Sequence, residues 1–130
     1  MRIFKRLLPL IISSLLLVSC ASPELPPSSY RQITMEEAVK IMSEENNYII
    51  LDVRTPEEYA AGHIPGAINI PNEIIGAEDI SELPNKSQLI LVYCHSGRRS
   101  KEASEKLAKL GYTNIVEFGG ISDWTGEIVK

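Results

Sequence analysis

Three short apolar runs constrain the fold most: "YIILDV" at 48–53, "LILVY" at 89–93 and "NIVEF" at 114–118. Each is too short for a core helix, and two lack a polar alternate. That pattern suits strands covered on both faces, as in a parallel sheet. Helical segments separate them. "TMEEAVKIM" opens with a capping box, Thr34 and Glu37, and sets Met35, Ala38, Val39 and Met42 on one face. "TPEEYAAG" repeats the device, with Thr55 as cap, Pro56 at the first helical position, Glu58 reaching back and Gly62 as terminator. "RRSKEASEKLAKLG" is read as a helix that turns Ala103, Leu107 and Leu110 inward and ends at Gly111. "GAINI" (66–70) is expected to be a short strand, and one short helix is expected around Ile74 to Leu83. "GGISDW" opens a last turn or short helix. The alternation predicts an α/β domain with a parallel sheet.

The N-terminus carries a different pattern. "MRIFKRLLPLIISSLLLVSC" has a basic start and an apolar stretch from Leu7 to Val18, interrupted by Pro9. That stretch is too short to span a bilayer core of ~30 Å. Residues 1–19 are therefore read as a secretory signal peptide. "LVSC" at 17–20 resembles the lipobox of bacterial lipoproteins, which implies cleavage before Cys20 and lipid attachment to its sulfur. Ala21 follows, not an aspartate, so in a Gram-negative source the anchor would face the periplasm from the outer membrane. "ASPELPPSSY" then reads as an extended tether, giving residues 20–30 as linker and 31–130 as the domain.

The net charge is -4, but the leader contributes Arg2, Lys5 and Arg6 and no acid. Without them 10 basic residues face 17 acidic ones, a net of -7. An acidic body disfavours nucleic acid as a partner. Any anionic substrate needs a local cluster of positive charge.

The segment that supplies one is "YCHSGRRS" at 93–100. If Cys20 is lipidated, Cys94 has no disulfide partner within the chain. No Cys-x-x-C and no metal-ligand spacing accompanies it. Strand 89–93 delivers Cys94 to the carboxyl edge of the sheet, where ligands of such folds bind. A tight strand-to-helix turn there can aim successive N–H groups at one centre, and the following helix adds its positive end. Gly97 permits the curve, and Arg98 and Arg99 add charge at a helix start that ordinarily favours acids. A thiol in that field ionises more readily than free cysteine, so Cys94 is expected to be an exposed, primed nucleophile. A small core residue is the bland alternative for Cys94, and a solvated helix start for the arginines.

These segments together resemble the single-domain rhodaneses, a sulfurtransferase family, over about Ile33 to Trp124. "LDVRTPEEYAAGHIPGAINIP" (51–71) resembles the family's first signature, "YCHSGRRS" its active-site loop with the following Ser100, and "FGGISDW" its closing segment. The resemblance implies a three-layer α/β/α fold with a five-stranded, mainly parallel sheet. It implies that Cys94 takes sulfane sulfur from thiosulfate or a similar anionic donor. The Cys94 persulfide would then pass it to cyanide or a thiol, with no metal or organic cofactor.

By that carry-over His95, Ser96, Gly97, Arg98 and Arg99 form the substrate cradle, with Arg98 and Arg99 gripping the donor's sulfonate. His95 either supports the thiolate or faces solvent. Asp52, Arg54 and Ser100 line the pocket or support the loop, with Arg54 expected to pair with a nearby acid such as Glu58. His63 is read as structural. Rival readings are a persulfide carrier or a non-catalytic binding module of the same fold. A cysteine phosphatase or arsenate reductase fits less well. Its Cys-x5-Arg pattern needs arginine where Ser100 stands, and Arg99 falls one place early.

Overall fold

The computed structural model describes residues 29–76 and 78–130. The signal segment 1–19, Cys20 and all but the last two residues of the tether lie outside the described residues.

Five parallel strands form one sheet in the order β1-β5-β4-β2-β3. They are β1 (Arg31–Gln32), β2 (Tyr48–Asp52), β3 (Ile68–Asn69), β4 (Leu89–Cys94) and β5 (Ile115–Gly120). Helices α1 (Met35–Glu44), α2 (Pro56–Ala61) and α3 (Arg98–Lys109) make the crossovers. The central strands β2, β4 and β5 are apolar on both sides because both sides are covered. On one face Ile50, Leu91, Tyr93, Val116 and Phe118 pack with α1 and Tyr59 of α2. On the other, Leu51, Ile90, Val92, Cys94 and Ile115 pack with Ala103, Leu107 and Ala108 of α3. The result is a three-layer α/β/α domain.

Both capping boxes form. Thr34 Oγ1 accepts from Glu37 N, and Thr55 Oγ1 from Glu58 N, with each glutamate returning the bond. These local signals need no tertiary partner, so they survive into the fold unchanged.

Two expectations change. No α-helix forms around Ile74 to Leu83 among the described residues; a single 3-10 turn at Asn72–Ile74 gives way to irregular chain. Gly76 takes a positive φ of 127° there, which a continuing helix forbids. In α1, Ala38 is the buried contact, whereas Val39 stays 46% exposed at the edge of the apolar face.

One irregularity positions the site. Between Val92 and Cys94 the pairing of β4 with β5 slips, so Val92 faces Glu117 while Cys94 faces Gly120. The extra β5 residue is accommodated by Gly119 at φ 96°.

Candidate functional site

Cys94 is the last residue of β4, and α3 begins four residues later at Arg98. Gly97 occupies the N-cap of α3 with φ 108° and no side chain to cap the helix. The free N–H groups of that first turn therefore need another acceptor. The Cys94 sulfur takes that role: Gly97 N lies 3.0 Å from Sγ. Burial works against ionisation of the thiol and is the largest single influence. The Ser100 side chain and the N–H groups of Ser100, Gly97 and Ser96 together outweigh it, and the pKa falls below the ordinary thiol value.

The thiol is not exposed, contrary to the expectation from sequence. Cys94 is 1% accessible, while His95 and Ser96 stand exposed above it. The reason lies on β5. His95 O accepts from Ser122 N at 3.2 Å, which draws the loop down over the strand ends. A Cβ on Gly120 would coincide with the His95 carbonyl and crowd Ser96 N. Only glycine lets the loop seat this closely.

The structure gathers Cys94, Ser96, Gly97 and Ser100 into one cradle through Sγ contacts. The side chain of His95 faces solvent. The two arginines differ. Arg98 is 74% exposed and makes one ion pair, at 3.0 Å, with Glu102 one turn along α3. Arg99 is only 18% exposed and grips Glu58 of α2 with two bonds of 2.7 and 3.0 Å. That bidentate pair holds the Glu58 carboxyl down to about 2, so the tie between α2 and α3 persists in all but strongly acidic solution.

Glu58 is thus the partner of Arg99, and the expected Arg54–Glu58 pair does not form. Arg54 instead binds Asp52, with Nη2 2.7 Å from Oδ2 and Nε 3.1 Å from both carboxylate oxygens. Its guanidinium also donates to Gly62 O at 2.7 Å, and Tyr93 OH donates to Asp52 Oδ2 at 2.7 Å. Burial of the phenol, reinforced by the bond to Asp52, raises the Tyr93 pKa. Tyr93 packs in the core opposite to that of Cys94. The Asp52–Arg54–Tyr93 cluster therefore fixes the loop after β2 from the far side of the sheet. His63 stacks on Tyr59 with ring centroids 3.7 Å apart and pairs its backbone with Val129, a structural position.

Sequence reasoning missed two residues. Gly120 was read only within the closing segment, and its role depends on the approach of a distant loop. For Glu117 the one local signal is an acid inside the apolar run "NIVEF". It is 2% exposed, and its Oε1 accepts from Ser100 Oγ at 2.6 Å and Gly119 N at 2.9 Å. Carboxylates are seldom buried so completely without purpose.

A family model described as "Rhodanese-like domain" matches residues 34–127. The thiosulfate sulfurtransferase PspE of Escherichia coli (strain K12) is 41% identical over 73 residues, 56% of this chain and 70% of that protein. A sulfurtransferase of Allochromatium vinosum is 34% identical over 94 residues, 72% of this chain and 86% of that one. The solved structure "rhodanese with anions from E. coli" is similar with a TM-score of 0.59 and 38% identity, over 64% of this chain and 98% of that one.

The seating of the loop yields a direct expectation. Gly120→Ala should push His95 and Ser96 off β5 and turn the amides from Sγ. The pH midpoint of Cys94 alkylation by iodoacetamide should move to higher pH as those amides are lost, with a stability loss of about 2 kcal/mol in urea. A folded variant with the wild-type midpoint would show that Gly120 does not position the loop.

Proposed function

This chain belongs to the rhodanese family, and from that premise we propose that it is a thiosulfate sulfurtransferase working through a persulfide on Cys94. The observation that carries the reading is the convergence of the Ser96, Gly97 and Ser100 N–H groups on one thiol at the carboxyl end of a central strand. The thiosulfate sulfurtransferases among its relatives support the same reaction class.

The chemistry follows from the cradle. Ionised Cys94 attacks the outer sulfur of thiosulfate, the S–S bond of the donor breaks, and sulfite leaves with its electron pair. The product is a Cys94 persulfide, whose terminal sulfur is anionic. The same N–H groups that favour the thiolate stabilise that anion. Cyanide or a thiol then attacks the terminal sulfur and removes it, and Cys94 returns as thiolate. Arg98 is the better candidate to meet the donor's sulfonate, because Arg99 is already committed to Glu58.

Residues 1–30 extend the proposal to location. The basic start, the apolar stretch and "LVSC" support an exported protein anchored through lipid on Cys20, with the domain held off the membrane by the tether.

Mass spectrometry after thiosulfate treatment is expected to show a gain of one sulfur atom, and cyanide to convert it to thiocyanate. Both should vanish in Cys94→Ser; release of phosphate from an aryl phosphate, without thiocyanate, would instead point to a phosphatase. Arg98→Ala should raise the KM for thiosulfate roughly tenfold, the loss of one charge-assisted contact, while sparing an uncharged donor. Equal losses with both donors would remove the charge role. In the bacterial host, Cys20→Ser should abolish incorporation of labelled fatty acid, and continued labelling would refute the anchor.

A further inference from the structure

Arg98 and Arg99 are neighbours in sequence, yet their charges reach the cradle differently. Arg98 stands 74% exposed, and its one ion pair, with Glu102 a turn along α3, lies open to water. Such a pair is weak and gives way readily to another anion. Arg99 is 18% exposed and meets Glu58 through two bonds, Nη1 to Oε1 at 2.7 Å and Nη2 to Oε2 at 3.0 Å. A part-buried bidentate pair is strong and fixed in direction.

Glu58 is held ready for this by its own helix. It closes the capping box of α2, where Oε1 also accepts from Thr55 N at 3.3 Å and Thr55 Oγ1 at 3.2 Å. A local signal in "TPEEYAAG" thus aims a carboxylate at a residue 41 positions further on. The bonds from Arg99 are the main reason that the Glu58 carboxyl is held down to about 2, so it stays charged near neutral pH. Arg99 is kept a cation first by its bonds to Glu58, against the cost of burial, and then by the charges of Glu58, Cys94 and Glu73. Arg99 therefore lies within electrostatic reach of the thiolate, and the anion that cancels it is bound to the same guanidinium. Glu73 is exposed and makes no ion pair among the described residues, so water and salt screen it. Glu57 of α2 and Lys101 of α3 are exposed and screened in the same way.

We propose that Glu58 sets the charge preference of the cradle: by cancelling Arg99 it leaves Arg98 as the loop's effective cation and limits how far anionic reactants are favoured over uncharged ones. Two free arginines beside the amides would draw anions more strongly, and would also hold the departing sulfite. With one cancelled, uncharged thiols keep access to the same sulfur. Glu58 touches no reactant; it is a positioning residue that acts through Arg99.

The proposal rests on Cys94 as the reacting thiol of the proposed sulfur transfer, but its test uses no sulfur donor, so the two fail separately. Cys94 is alkylated in parallel with iodoacetate, an anion, and iodoacetamide, an uncharged analogue of nearly the same size. Both react with the same thiolate, so a change in its pKa or accessibility cancels in the ratio of the two rates. In Glu58→Gln the ratio of iodoacetate to iodoacetamide should rise roughly fivefold, the effect of one unit charge at a part-buried site. Glutamine also serves in a capping box, so α2 keeps its start. When Arg99→Gln is added to Glu58→Gln, the ratio should return to the wild-type value, which no purely structural role of Glu58 predicts. An unchanged or lower ratio in folded Glu58→Gln, or a raised one that Arg99→Gln does not reverse, overturns the proposal. If either variant does not fold, Arg98→Ala decides, since Arg98 is exposed. Its ratio should not fall as salt is added; a ratio that still falls shows Arg99 drawing anions uncancelled and overturns the proposal.

Discussion

The whole site depends on how closely the main chain of His95 and Ser96 lies over Gly120. That contact bends the chain sharply after β4, and the bend turns the first amides of α3 inward. The sulfur of Cys94 then fills the place of a helix cap. Helices usually begin at a serine, threonine or aspartate whose side-chain oxygen accepts from the first-turn N–H groups. Here Gly97 brings no side chain, and the Cys94 sulfur accepts the orphan N–H groups. Capping the helix and lowering the thiol pKa are one interaction. The slip between β4 and β5 belongs to the same arrangement, since it sets Gly120 opposite Cys94 and leaves Glu117 beneath Ser100.

Two charged clusters hold this geometry from opposite sides. Arg99 and Glu58 join the start of α3 to α2 across the rim of the cradle. Asp52, Arg54 and Tyr93 lock the end of β2 on the far face. Each buried charge in these clusters has a partner and further hydrogen bonds, the condition under which burial of ions is tolerable. Glu117 stands apart because, among the described residues, it has hydrogen bonds and no ion pair. An acidic body attracts no anion by itself, so for the donor proposed above the attracting field has to be local, from the helix start and Arg98.

Much of the fold was legible from local pattern. The strands announced themselves as apolar runs, and Thr34, Glu37, Thr55, Pro56 and Glu58 marked two helix starts that form as expected. The irregular chain after Asn72 was misread, because a few apolar residues between turn formers carry no decisive period. The thiol and its amides were legible because a strand, a cysteine and a glycine lay in sequence. What bears on them from a distance was not. Arg99 and Glu58 are 41 positions apart, and two acids near Arg54 competed for the role that Asp52 fills. The depth of Cys94 depends on Gly120, whose closeness no local pattern reveals. Glu117 was visible as a lone acid in an apolar strand, yet only the sheet register brings it under Ser100.

The account turns on whether those amides hold charged sulfur. A crystal structure of the domain after treatment with thiosulfate tests this most directly. It should show one additional sulfur on Cys94, within hydrogen-bond reach of the Ser96, Gly97 and Ser100 N–H groups. Density for an unmodified thiol, or a terminal sulfur with those amides turned elsewhere, would contradict it.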